Sequence, residues 1–310
     1  MRYHAPPSDP IPMCRAPSHP VHPLRALALL ACAQALFALM DATGKTLAAD
    51  MGIPLIALVR HAGQALLMIA FLAPRMGWGL VRTRHGGLQF WRGLAMSGFT
   101  LFFFTALFRL PQAEATAINF VAPFIVMLLA GQVLGERVTR AKWLGAAVGF
   151  LGMLLLVRPG SALDSVGIVF ALLTVVCNVA FQLLTRRLAL VEDSFTTMFY
   201  SAAISVVVSA LLLPLQGVWG GWPAALSAQQ ILMLLALGVL GAVSQWCFIR
   251  AYVWSSATFI APQLFMQLVW STGAGFLFFG QLPLRTSLAG IAVILASGVA
   301  TMLYAARAKA

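Results

Sequence analysis

From Leu24 to Tyr304 the chain is a succession of apolar runs, each of about 20 residues, the length an α-helix needs to cross roughly 30 Å of hydrocarbon. In lipid every backbone N–H and C=O must be bonded within its own segment, so recurring runs of this length restrict the fold to a bundle of spanning helices. The charge content agrees. Only 9% of the 310 residues are charged, 61% are hydrophobic and the mean hydropathy is +0.92, whereas a soluble domain carries about 25% charged residues to cover its wet surface. The expectation is an all-α polytopic membrane protein.

Ten spans are expected, near 24–44, 53–73, 89–109, 111–133, 141–158, 165–186, 194–214, 229–250, 256–279 and 286–306. Pro54 and Pro111 open spans, and Pro74, Pro159 and Pro214 follow span ends. With the amino terminus in the cytoplasm, Lys45, Arg109, Arg158 and Arg285 fall outside and Arg60 falls within a span. The other fifteen of the 20 cations fall inside. That asymmetry is a strong positive-inside signal, and it puts both termini in the cytoplasm. It also accounts for the net charge of +12: the cations are scattered over inter-span segments with no aromatic-laced basic patch, so nucleic acid is not expected as a partner.

The chain repeats itself. A shift of 145 lays Gly135, Arg140, Gly145, Ala147 and Val148 over Gly280, Arg285, Gly290, Ala292 and Val293, and Ala106 over Ala251. A shift of 141 aligns Lys45 with Arg186. Five spans per copy is an odd number, so the second copy enters the membrane inverted. The first joint, Leu134 to Gly152, is then cytoplasmic and its twin external, which explains why Glu136, Arg137 and Lys142 become Gln281, Leu282 and Ser287. Residues 1–23 read as a disordered cytoplasmic tail, 24–160 as the first repeat and 161–310 as the second.

Ala106-Leu107, Ala122-Pro123, Leu134-Gly135-Glu136-Arg137 and Trp143-Leu144-Gly145 together resemble the first EamA repeat of the drug/metabolite transporter superfamily. Ala251-Tyr252, Ile260-Ala261-Pro262 and Phe279-Gly280 resemble the second. The resemblance implies ten transmembrane helices as two inverted five-helix EamA repeats, a bacterial inner-membrane location and transport of a small metabolite. Asp41-Ala42-Thr43-Gly44-Lys45 and Thr185-Arg186-Arg187-Leu188-Ala189 are similar to the branch with S-adenosylmethionine and riboflavin carriers. Four-span relatives that exchange protons for cationic drugs use a mid-membrane Glu in their first helix; here that place reads Cys32-Ala33-Gln34, which argues against drug/proton exchange by that route.

The polar residues inside the spans are the site candidates. Arg60 lies in span 2, where a central cation costs about 2.5–3.5 kcal/mol on insertion scales, so a partner is expected. At 1.5 Å per residue Asp41 and Arg60 lie at matching depths of about 8 and 10 Å. They are read as a charge pair, lining the pathway or permanently structural, with an Asp41–Lys45 pair along one helix as the rival. His61 is a coupling candidate or a packing residue. Gln263, Gln267, Trp270 and Ala274 share a face of span 9 after Pro262, Thr174, Asn178 and Gln182 stack in span 6, Asn119 precedes Pro123, and Gln245 adjoins Trp246. Uncharged amides and indoles suit a polar, partly aromatic substrate, although amides also join helices in lipid. The resemblance favours Asn178 and Gln267, since related carriers line a central cavity with spans 1, 3, 4, 6, 8 and 9. Glu114 reads as a first-turn carboxylate on a helix dipole, and Ser201, Ser205 and Ser209 as a row bonding back to its own helix. Gly145, Gly149 and Gly152 offer a small-residue packing face.

Cys14, Cys32, Cys177 and Cys247 show no metal or disulfide spacing, and His4, His19 and His22 read as solvated tail residues. No HExxH, GxSxG, paired aspartates or Walker A loop is present. The chain is therefore expected to be no enzyme, to need no cofactor or metal, and to work without an ATPase subunit. Its partners are a small-molecule substrate and the bilayer, with a homo-oligomer left open. A secondary transporter is the first reading, and a lipid scramblase or a channel-like protein the alternative.

Overall fold

A computed structural model describes residues 23–122, 124–126, 129, 144, 147–148, 151–152, 155, 164–188, 191–215, 226–254, 266–281, 285, 288–293, 295–297 and 300. Eight helices of eight residues or more lie among them: α1 Pro23–Leu47, α2 Ile53–Met76, α3 Gly86–Arg109, α4 Gln112–Asn119, α5 Ser165–Leu188, α6 Ser194–Leu212, α7 Ala228–Trp254 and α8 Met266–Phe279. No strand occurs among the described residues. By length and apolarity five helices there can cross a membrane: Ile53–Met76, Gly86–Arg109, Ser165–Thr185, Phe195–Leu215 and Ala228–Phe248. The tail with His4, His19, His22 and Cys14, together with Pro123, Gly145, Gly149, Pro262 and Gln263 and most of the spans expected at 141–158 and 286–306, lies outside the described residues.

Local chemistry sets the helix ends. The Asp193 carboxylate accepts from the N–H groups of Phe195 and Thr196 and starts α6. Ser227 and Gln230 bond each other's backbone N–H at 3.2 and 2.9 Å, a capping box that starts α7. Leu110 is extended because Pro111 follows it, and this ends α3. Gly77 ends α2 at φ 54°, a conformation that a side chain would strain.

Two expectations change here. Span 4 is not one continuous helix from 111: α4 stops at Asn119, and the Phe120 N–H bonds back to Thr116, Ala117 and Ile118 before helix resumes at 122. The first span is longer than expected, so Lys45 belongs to the last turn of α1 and not to a loop.

The bundle is apolar outside and polar within. Leu277 is 79% and Leu211 73% exposed, while His61, Gln89 and Gln112 are fully buried, as expected where lipid is the solvent. Small residues let the backbones close. A Cβ on Gly63 of α2 would lie 2.7 Å from Gly238 Cα of α7, and one on Gly98 of α3 would lie 2.8 Å from Cys177 Sγ of α5. The principal contacts pair α1 with α7, α3 with α5, α2 with α6 and α7, α3 with α6, α1 with α8, and α4 with α5 and α8.

Candidate functional site

The breaking of α4 places Asn119 at a helix end, where its amide turns to α5. Asn178 Nδ2 donates to Asn119 Oδ1 at 3.0 Å, and Gln182 Nε2 donates to Asn178 Oδ1 at 3.1 Å. The spacing of four on α5 makes this ladder possible. Thr174 does not join it, since its hydroxyl donates to Phe170 O at 2.8 Å. All three ladder residues are half-buried, and uncharged amides keep donors and acceptors available without the cost of a buried charge.

Arg60 and His61 converge on Thr100 of α3: Arg60 Nη1 donates to Oγ1 at 3.2 Å, and His61 Nε2 lies 3.1 Å from the same oxygen. The Arg60 guanidinium also sits 5.7 Å from the Phe104 ring centre, and its stem passes Gly241 of α7. The expected charge pair is present at longer range than direct contact. Asp41 and Arg60 are both buried and interact electrostatically, but no nitrogen of Arg60 comes within 4.0 Å of the Asp41 carboxylate. The reason is that α7 lies against both α1 and α2, and Thr100 and Phe104 occupy the guanidinium. The rival Asp41–Lys45 pair is also absent, because Lys45 Nζ donates to Leu110 O at 2.5 Å and approaches Gln281 Oε1 at 3.5 Å. Among the described residues two buried polar atoms here have no hydrogen-bond partner, Arg60 Nε and Gln34 Oε1 two turns from Asp41 on α1, while Gln64 lies one turn along α2 within reach of the His61 ring. Each costs free energy unless something bonds to it.

Two residues that a hydropathy reading misses close the ends of the bundle. Lys45, above Phe279 at 5.1 Å and in electrostatic reach of buried Glu114, ties α1 to the α3–α4 corner and α8. Arg92, expected among loop cations, is buried in α3. Its Nε donates to Thr185 Oγ1 at 2.8 Å and its Nη1 to Thr197 O at 2.9 Å and to Ser201 Oγ. Phe181 lies 4.4 Å below the guanidinium. The Ser201 and Ser205 row thus does more than bond back: Ser205 accepts from Ser97 at 2.9 Å. Beyond Arg92, Glu192 between α5 and α6 gathers the segment before α3, accepting from Thr83 Oγ1 at 2.7 Å, Arg84 N at 2.8 Å and His85 N and Nδ1 at 3.1 Å. Burial by itself would raise the Glu192 carboxyl, but these bonds outweigh it and hold the group below the usual glutamate range.

Gln245 and Gln267 are half-buried and make no hydrogen bond among the described residues. Trp246 and Trp270 are 47% and 41% exposed, at the margins of α7 and α8 and away from the amide ladder. Among the described residues no cluster of His, Cys, Asp or Glu could hold a metal.

Helices of lipid-crossing length with amides, hydroxyls and cations gathered between them have the build of a membrane carrier for a polar solute. The EamA-like transporter family model matches residues 24–158. A riboflavin transporter of Rhizobium johnstonii is 30% identical over 77% of this chain and 78% of its own. A pseudopaline exporter of Pseudomonas aeruginosa is 29% identical over 85% and 91%, and an S-adenosylmethionine uptake transporter of Rickettsia felis 25% over 60% and 61%. A solved crystal structure, 19% identical, matches 93% of this chain and 97% of its own with a TM-score of 0.63, which shows a common fold. The chain belongs to the EamA-like transporter family of the drug/metabolite transporter superfamily, and it is a multi-pass membrane transporter.

Proposed function

We propose that this transporter is a secondary carrier in the bacterial inner membrane, moving a small polar organic metabolite by alternating access through ten spans built as two inverted repeats, 24–160 and 161–310. The relatives named for pseudopaline, riboflavin and S-adenosylmethionine support an organic metabolite as the substrate class.

Helix directions support the inversion. Between α3 and α6 the contacts Gln89–Thr197, Arg92–Ser201 and Ser97–Ser205 advance together, so the two run parallel. Between α3 and α5 the contacts Arg92–Thr185, Gly98–Cys177 and Leu110–Gly167 advance in opposite senses, so those two run antiparallel. With α1 and α3 alike in direction after two reversals, α5 opens the second half upside down relative to α1. The contacts α1–α7 and α3–α5 then exchange under the pseudo-twofold, as do α2–α7 with α3–α6 and α1–α8 with α4–α5. On this reading Lys45 closes the outer end, the Arg92 and Glu192 bonds lie at the cytoplasmic end, and both termini are cytoplasmic.

The observation that carries the substrate class is the amide ladder Asn119–Asn178–Gln182, which joins the broken α4 of one half to the first helix of the other. Gln245 and Gln267 extend the polar lining, and Asp41, Arg60 and His61 form the coupling group. The test is proteoliposomes of the purified protein exposed to a metabolite mixture with and without a pH gradient, read by mass spectrometry. Saturable, counterflow-competent accumulation of one polar species is expected. No accumulation beyond empty liposomes, with folding verified, would overturn the reading.

A further inference from the structure

The polar face of α4 carries more acceptors than donors reach. Gln112, Thr116 and Asn119 follow at intervals of four and three, so they share one side of the helix. Gln112 Nε2 donates to Ala38 O of α1 at 2.9 Å. Among the described residues, however, Gln112 Oε1 and Thr116 Oγ1 have no hydrogen-bond partner, and both residues are at most 2% exposed. The Asn119 carbonyl has no helical donor either, because position 123 is proline and offers no N–H. Unbonded oxygens inside a bundle cost free energy, and these gather along a short helix whose C-terminal dipole end is negative.

The opposite wall is α1. Lys45 reaches Leu110 O before α4 begins, and Gln112 meets Ala38 two turns back along α1. The two helices therefore run in opposite senses, and Thr116, one turn beyond Gln112, comes level with Gln34, one turn before Ala38. Gln34, Ala38 and Asp41 share a face of α1, and Gln34 Oε1 is also without a partner among the described residues. Behind them α8 packs on both helices, with Ala274 against Ala38 and Ala42 and Gly275 against Gln112. We propose that a monovalent cation binds between α1 and α4, held by Gln112 Oε1, Thr116 Oγ1 and Gln34 Oε1, with the Asp41 carboxylate as its countercharge. Amide, hydroxyl and carboxylate oxygens are hard ligands, suited to an alkali ion or a protonated amine and not to a soft metal. The charge follows from the neighbours of Asp41. Arg60 lies in its electrostatic reach but is held by Thr100 and Phe104, and Lys45 and Glu114 offset one another above it. A divalent ion would leave excess positive charge in the bundle. Sodium ion and solute amine share this chemistry, and a broken helix is where a carrier holds a coupling ion. The inference rests on the coupling role proposed for Asp41, but it is read as binding to the purified protein, so it stands or fails apart from the transport cycle.

The full chain, purified in detergent, is melted in sodium chloride, methylammonium chloride and choline chloride at one ionic strength, choline serving as the bulky cation whose methyl groups keep oxygens off its charge. A saturable rise in Tm over choline is expected, about 3 °C at a tenfold excess over the dissociation constant. A rise with sodium assigns the site to an inorganic ion, and a rise with methylammonium alone assigns it to the amine of a solute. No rise with either overturns the proposal. Thr116→Val, which keeps the shape of the side chain and removes its oxygen, should abolish the rise, and Thr116→Ser should keep it. Asp41→Asn should raise the dissociation constant at least about tenfold. A rise that keeps its size and midpoint in Thr116→Val or in Asp41→Asn would also overturn the proposal.

Discussion

Asn178 Nδ2 donates to Asn119 Oδ1 at 3.0 Å, and Asn119 is the last residue of α4 before its helix breaks. The bond therefore ties a helix end, which can move without unwinding a helix, to the middle of a 24-residue helix. Asn178 both donates to Asn119 and accepts from Gln182, so its removal ends the ladder in both directions. A net hydrogen bond is worth about 0.5–1.5 kcal/mol. Asn178→Ala is expected to raise the KM for the transported metabolite by about two- to tenfold while leaving the amount of protein in the membrane unchanged. Uptake kinetics normalised to incorporated protein check this, with Gln267→Ala as the companion variant. Unaltered kinetics in both would remove the amides from the pathway.

Asp41 is buried beside Arg60 without bonding it. The guanidinium already has Thr100 and the Phe104 face, so neutralising Asp41 does not orphan a bonded cation. Asp41→Asn is expected to insert and fold at normal yield and to lose at least about tenfold in flux, the equivalent of about 1.4 kcal/mol. Loss of the protein from the membrane fraction would mean instead that the charge is structural.

Five lipid-crossing helices were legible because such a helix writes its length in its apolar run, and the polar positions of α5 and α2 were legible because they interrupt such runs. The break after Asn119 was not, since Phe120 and Val121 are as apolar as a continuous span would need. Lys45 and Arg92 were misplaced for a physical reason. A long cationic side chain near the end of an apolar run reads as a loop charge because it can snorkel. Only the Arg92 partners, 93 to 109 positions away, draw it inward. Matching depths brought Asp41 and Arg60 together, but depth fixes one coordinate of three. The lateral position of α7 between them depends on glycine contacts such as Gly63–Gly238, which leave no mark in hydropathy.

From α3, Arg92 binds two further helices, α5 and α6, through neutral partners, and no acidic residue among those described approaches it. Hydrogen bonds to charged groups are worth about 1.5–3 kcal/mol each. Arg92→Leu is expected to lower the Tm of the detergent-solubilised protein by several degrees. Arg92→Lys should recover only part of this, because an ammonium cannot reproduce the fork that reaches Thr185, Thr197 and Ser201 together. Thermal unfolding followed by tryptophan fluorescence checks it. A full recovery by Lys would show that charge matters there more than geometry.

Glu192 holds the segment before α3 through four bonds, joined by Tyr200 Oη to Val81 O at 2.7 Å and Thr196 Oγ1 to Gly79 O at 3.1 Å. Its native pKa is lowered by those bonds, so the stabilisation they give is present above the ordinary glutamate value of about 4.3. It is lost as the pH falls through the lowered native value. Wild type is expected to melt above Glu192→Gln at neutral pH, with the gap closing as the solution is acidified. Melting curves across pH for both proteins check this, and a gap independent of pH would show that the carboxylate charge contributes nothing.

The Cys32 and Cys247 thiols are close neighbours across the α1–α7 contact, and neither is in a disulfide. Bonding them would fasten α1 to α7, a contact that the proposed rocking of one half against the other would have to shear. Mild oxidation is expected to join the peptides carrying the two cysteines, detected by mass spectrometry after proteolysis without reductant. Flux should fall in proportion to the cross-linked fraction and return on reduction, and Cys32→Ser should transport normally and be indifferent to the oxidant. If the cross-link forms and flux persists, α1 and α7 move as one body. The moving boundary then lies elsewhere, with the α3–α5 contact, which the proposed inversion would exchange with it, as the next place to cross-link, through Gly98→Cys opposite Cys177.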